Sequence, residues 1–266
     1  MKIPYILTDN SISLTHEGKS YSFLKGSPQF VVITKMLEAG LEDQISSALS
    51  LGDALATATE QRYIVEGEKL FIRTDSGRWE APANLATKII AHLGSGLPVD
   101  SWVNFAQRLS NNPSKESVNQ LFSYLQQHHF ALTEAGNFIA YKRVRHDYKD
   151  IYTGTMDNSP GVVVSMPRSQ VNADPNQTCS RGLHVAAYDY AANQYSRAAN
   201  DILLAVEVSP EDVVSIPFDY NNQKIRCAGY RVIGPIAEEF KEKAWSEDRG
   251  FYNEDYEDDA EYVSIA

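Results

Sequence analysis

The apolar residues of this chain change their spacing near residue 131, and that change bounds the fold. Before it, segments repeat at helical spacing. Phe30, Ile33 and Leu37 share one predicted helix face, and Val118, Leu121, Phe122 and Leu125 share another. After it come short apolar runs at 138–144, 162–164, 202–208, 212–216 and 229–233, separated by glycine, asparagine and proline. Runs of that length read as strands. The expected class is α+β. An N-terminal region of hairpins and helices (residues 1–130) packs on a C-terminal α+β domain (131–245), and a flexible acidic tail (246–266) follows.

Local signals refine this outline. Residues 5–24 read as a hairpin turning at Glu17-Gly18. Ser27-Pro28 supplies a cap and a first-turn proline, and Gly40 ends that helix. A second helix is expected over residues 43–58, and a hairpin over 62–74 turning at Glu66-Gly67. Residues 84–93 and 101–109 read as helices, and Ser114 caps another, which His128 and His129 close. Residues 162–164 read as a buried strand. Residues 186–199 read as a helix, with Tyr188, Ala191, Ala192 and Tyr195 on one stripe.

Composition excludes several classes. Two cysteines are too few for a disulfide framework, so a reducing interior is expected. The N-terminal residues form no signal-peptide core, and no apolar run has the roughly 18 residues a spanning helix needs. A net charge of −11 argues against non-specific nucleic-acid binding. The charge is concentrated from Glu247 to Glu261, where eight acids accompany one arginine. Phe251, Tyr252, Tyr256 and Tyr262 lie among or beside them, so this tail reads as either a solvated end or a partner-binding segment.

Reactive side chains gather in Thr178-Cys179-Ser180-Arg181-Gly182-Leu183-His184. Cys179 and His184 are the candidate catalytic pair, with Asp189 able to orient the imidazole. Cys179, His184 and Cys227, with His146 as a fourth, offer zinc-ligand chemistry but not zinc-knuckle spacing. Lys142, Arg168, Arg181 and Arg226 are candidate ligand-binding cations. Arg143, Arg145 and the amides of Asp157-Asn158-Ser159-Pro160-Gly161 could join them around a phosphate-bearing molecule. Against each stands a structural reading: a small buried thiol, a tight turn, and surface cations with solvated heads.

Several blocks, in order, carry a resemblance. They are Asn112-Pro113-Ser114, Phe138-Ile139-Ala140-Tyr141-Lys142, the run from Tyr152 to Gly161, Met166-Pro167-Arg168, Cys179 to Val185, and Lys224-Ile225-Arg226-Cys227. Over roughly residues 105–234 the chain resembles the RIIB-like proteins of tailed bacteriophages. The resemblance implies a phage accessory protein that acts through a protein partner, RIIA-like or from the host, in lysis timing or in countering host exclusion. It implies the host cytoplasm, at most peripheral membrane contact, and no enzymatic activity or cofactor; self-association is compatible with it. The order of Tyr141-Lys142, Gly182 to Ala186 and the tyrosines that follow is also similar to the ADP-ribosyltransferase layout. Those enzymes carry a glutamate on a late strand, where Ala228-Gly229-Tyr230 has none and Glu207 is the nearest strand carboxylate. A partner-binding protein and a protein with a nucleotide-like ligand site both remain open at this point.

Overall fold

The computed structural model of the chain describes residues 3–74, 77–177, 179–195, 198, 200–218 and 223–237. The acidic tail lies outside them. The class is α+β, as the spacing predicts.

The N-terminal hairpin forms with its turn at Glu17-Gly18, both residues at positive φ. It gains one strand. β1 (Tyr5–Leu7), β2 (Ser11–His16) and β3 (Lys19–Leu24) make an antiparallel sheet in that order. Alternation turns Ile12, Leu14 and Phe23 to one face, where they pack against Val32 and Ile33 of α1 (Pro28–Glu38). Ser27 caps α1, its Oγ accepting from the Phe30 amide at 3.2 Å.

The helix expected over 43–58 is two pieces. A 3₁₀ segment, Glu42–Leu49, is followed by α2 (Leu51–Ala58). Serines make the break. Ser47 Oγ donates to the Gln44 carbonyl at 2.8 Å, and extended Ser50 caps α2 by accepting from the Asp53 amide. The next hairpin also gains a strand, so β4 (Tyr63–Glu66), β5 (Lys69–Thr74) and β6 (Gly77–Glu80) form a second antiparallel sheet. Three helices follow as predicted: α3 (Ala83–Gly94), α4 (Asp100–Ser110) and α5 (Lys115–Gln127).

The remaining strands build one seven-stranded antiparallel sheet. They are β7 (Phe138–Val144), β8 (Val163–Ser165), β9 (Leu183–Ala186), β10 (Ile202–Val208), β11 (Val213–Ser215), β12 (Lys224–Cys227) and β13 (Gly229–Pro235). Their order is β11-β12-β9-β7-β10-β13-β8. One face, with Phe138, Leu204, Val206, Ile225 and Val232, shares a single core with Trp102, Phe105, Leu121 and Phe122 of the helices. Fully burying each such side chain stabilises the fold by roughly 1.5–3 kcal/mol. The opposite face carries Ile139, Tyr141, Ala186, Leu203 and Ala205 under Tyr190 and Ala191.

Two elements after residue 131 also differ from expectation. The run at 162–164 is not a buried strand: β8 is a three-residue edge strand, only Val164 turns inward, and Val163 is 66% exposed. The helix expected over 186–199 is a short helical stretch at 188–194, because Ala186 still pairs with Lys224 and Tyr195 is already extended. Arg143 holds the end of that stretch, donating to the Ala191 and Ala192 carbonyls at 2.9 and 2.8 Å.

Helices and sheet are locked together through polar groups. Asn112, just before α5, is buried and donates from Nδ2 to the Pro210 and Val213 carbonyls, both at 2.8 Å. Its Oδ1 accepts from the Ser114 amide and from Arg168 Nη2. Ser117 Oγ, on α5, donates to the Val214 carbonyl at 2.9 Å.

Candidate functional site

The face of the large sheet away from the helices gathers the most chemistry. Arg226 on β12 lies directly opposite His184 on β9, and Lys224 lies opposite Ala186, so these side chains share that face. The fully buried Arg226 crosses Gly182, whose φ is +152°; a Cβ there would stand 2.9 Å from Val171 Cγ1 and 3.4 Å from the arginine stem. Arg226 Nη2 then donates to the Asp174 carbonyl at 2.6 Å and approaches Ser215 Oγ at 3.4 Å. Lys224 Nζ sits 5.0 Å from the centre of the Tyr190 ring, which stacks with Tyr195.

His184 takes its character from this setting. Burial, then the charges of Lys142, Arg226 and Lys224, lower its pKa to about 4. It is therefore neutral near pH 7, an imidazole among cations. Asp189 does not orient it: its two oxygens accept from Asn193 and Gln194 of its own turn. Cys179 is exposed on the preceding loop, with no hydrogen bond to His184.

Lys142 points the other way. Paired with Leu204, it lies on the helix-facing side of β7. β7 and β9 pair at one position, Tyr141 with Ala186, and Lys142 Nζ then donates to the His184 carbonyl at 3.0 Å. Its Nζ is 5.6 Å from the Tyr230 ring centre, and burial lowers its pKa. Cys227 follows Arg226 and so faces this same core, where burial pushes its thiol up to about 12. Cys227 and His184 thus lie on opposite faces of the sheet and form no common metal site.

The other predicted cations are placed elsewhere. Arg168 donates to the Glu211 and Val213 carbonyls and to Asn112, joining the seal of the β11 edge. Arg181 donates to Gln170 Oε1 on the surface. The structure therefore brings His184 and Arg226 together on one face, sets Lys142 against the His184 carbonyl from the other, and leaves Arg168, Arg181 and Cys179 apart from them.

The loop at 147–161 is built around Asp150. Burial would raise its pKa. The Thr153 hydroxyl and amide and the Met156 and Thr155 amides outweigh that and bring it to about 2. The amides that the sequence offers to an anion are engaged within the chain: Asn158 N donates to the Tyr148 carbonyl, Ser159 N to Asp157, and Gly161 N to the Val232 carbonyl. Asn158 Oδ1 accepts from the buried Tyr230 hydroxyl.

Sequence reading missed Lys224, Asn112 and Asp150. The signal for Lys224 is its spacing of two from Arg226, which puts both on one face of a strand. Asn112 and Asp150 give none, because their partners are mostly backbone groups.

A family model described as bacteriophage T4 protein rIIB matches residues 3–240, so the similarity extends through the N-terminal third as well. Protein rIIB of Enterobacteria phage T4 is 35% identical over 231 residues, spanning 86% of this chain and 72% of that protein. No solved structure matches.

Proposed function

This chain belongs to the bacteriophage T4 rIIB family, and on that premise we propose that it is a phage accessory protein working through contacts with protein partners. Its role is in the timing of lysis or in countering host exclusion, and its partner is an RIIA-like phage protein or a host protein. The observation that carries this reading is the continuous match over residues 3–240. The dispersal of the reactive side chains agrees with it, since Cys179 is not bonded to His184 and the Cys227 thiol is held in its neutral form. Among the described residues no helix is long and apolar enough to cross a membrane.

The test is made in infected cells. Affinity capture of the tagged chain should recover a defined phage or host protein, and deleting its gene should shift the time of lysis or the range of permissive hosts. Unchanged lysis, unchanged host range and no captured protein would overturn the reading.

One observation favours a second reading. His184, Lys224 and Arg226 share a sheet face beside the stacked Tyr190 and Tyr195 rings. A nucleotide-like anion would find cations and an aromatic surface there. Titration with ADP in a calorimeter tests it: binding that His184→Gln or Lys224→Met abolishes supports the site, and no heat with the wild-type chain removes it.

A further inference from the structure

The buried face of the N-terminal sheet runs past its cover. Leu7 extends the row of Ile12 and Phe23, and Tyr5 extends the row of Leu14 and Tyr21. Ile12, Leu14 and Phe23 are buried, yet Tyr5 is 42% exposed and Leu7 47%. Ile6, on the other face, is 70% exposed. β1 is short, which is one way edges are blunted, but it holds no charge or proline, no other described element covers it, and all three of its side chains are apolar and exposed.

The backbone pattern adds a second observation. The Thr15 amide donates to the Pro4 carbonyl and the Thr8 amide to the Ser11 carbonyl. In this register residues 4, 6 and 8 bond to β2, so the N–H and C=O groups of Tyr5 and Leu7 point outward from the sheet. Two outward residues flanking one inward residue are self-complementary under a two-fold axis.

We propose that β1 is a dimerisation edge whose occupant is β1 of a second copy of this chain. The copies pair antiparallel with Ile6 opposite Ile6. Each Tyr5 N–H donates to the opposing Leu7 carbonyl, and each Leu7 N–H donates to the opposing Tyr5 carbonyl. Two three-stranded sheets become one continuous sheet, and the exposed rows end on each other instead of in water. Charge agrees with the orientation. Asp9 follows β1 and Lys2 precedes it in sequence, so antiparallel pairing sets the acidic end of one copy against the basic end of the other. The inference does not rest on the functional reading above.

Sedimentation of the full chain at micromolar concentration tests it. The wild type should run as a dimer. Leu7→Pro removes an outward donor and part of the exposed apolar row but no backbone bond to β2, so it should run as a monomer with an unchanged circular dichroism spectrum. Should that variant misfold, Ile6→Lys replaces it: it keeps every backbone bond, sets like charges face to face, and should weaken the dimer by roughly tenfold or more. Cysteine substitution reads the register. In a Cys179→Ala background, Ile6→Cys should cross-link on mild oxidation, because directly opposed residues of this kind have Cα atoms about 4.5 Å apart. Tyr5→Cys should not, since the two copies of residue 5 are offset along the strands. A monomeric wild type, a dimer that survives both Leu7→Pro and Ile6→Lys, or equal cross-linking at both positions would overturn the proposal.

Discussion

The N-terminal sheet and the seven-stranded sheet treat their first edge strand in opposite ways. β11 borders the seven-stranded sheet, and Asn112, Ser117 and Arg168 deliver hydrogen bonds to the Val213 and Val214 carbonyls from outside. All three residues of β11 are buried. β1 borders the small sheet, and its outward groups at Tyr5 and Leu7 meet no other described part of the chain. What separates them is the supply of donors. The turn before α5 brings an amide side chain and the first turn of α5 a hydroxyl against β11, whereas α1 covers only β2 and β3. A sheet edge is finished by whatever the chain carries past it, and where nothing passes, a partner strand can finish it.

The largest expected effect tests the closed edge. Asn112→Ala takes the side-chain donor from the Pro210 carbonyl, one of two donors from the Val213 carbonyl and an acceptor from Arg168, and it should cost about 3 kcal/mol, since each orphaned buried group costs about 1–3 kcal/mol. A thermal melt reads this as a fall of several degrees, and an unshifted melt would mean that the seal contributes nothing. The opposite edge of the large sheet, β8, comes next. Its preceding loop is pinned by Asp150, whose folded pKa of about 2 lies below its ordinary 3.8. The unfolded chain takes up the proton first on acidification, so this stability is present above about pH 3.8 and is lost as pH falls through about 2, amounting to at most about 2 kcal/mol once solvent screening is counted. Urea unfolding across that range should show the loss in the wild type and not in Asp150→Asn. Ser117→Ala removes one donor from β11 and should cost about 1 kcal/mol in the same measurement. The smallest effect belongs to the open edge. Leu7→Ser, in an Ile6→Lys background that keeps the chain monomeric, should change urea stability by less than about 0.5 kcal/mol. A larger loss would show that β1 is covered within the single chain, and the contrast with β11 would fail.

Capping chemistry and apolar period carried much of this architecture into the sequence. Ser27-Pro28 and Ser114 start α1 and α5 because each serine has an oxygen for the amide three residues on. The apolar runs at 138–144 and 202–208 are β7 and β10 without change of bounds. β12 was hidden. Lys224-Ile225-Arg226-Cys227 alternates charge with apolar groups, as a solvated edge does, and its burial depends on the loop at Asp174 and the turn at Tyr190, remote in sequence. The candidate site was legible in kind but not in arrangement. His184 and Arg226 are neighbours through strand register, whereas Lys142 leaves the group because a single step along a strand reverses the face.

The one-position pairing of β7 with β9 gives the large sheet a mechanical character. Three strands on one side and four on the other are stitched at Tyr141 and Ala186, with the Lys142 ammonium tying down the next carbonyl. Seven backbone pairs join β7 to β10, so a load drawn across the sheet meets its weakest seam at the stitch. The ribbon of β11, β12 and β9 is the part that would yield first under tension, carrying His184 and Arg226 away together as one piece.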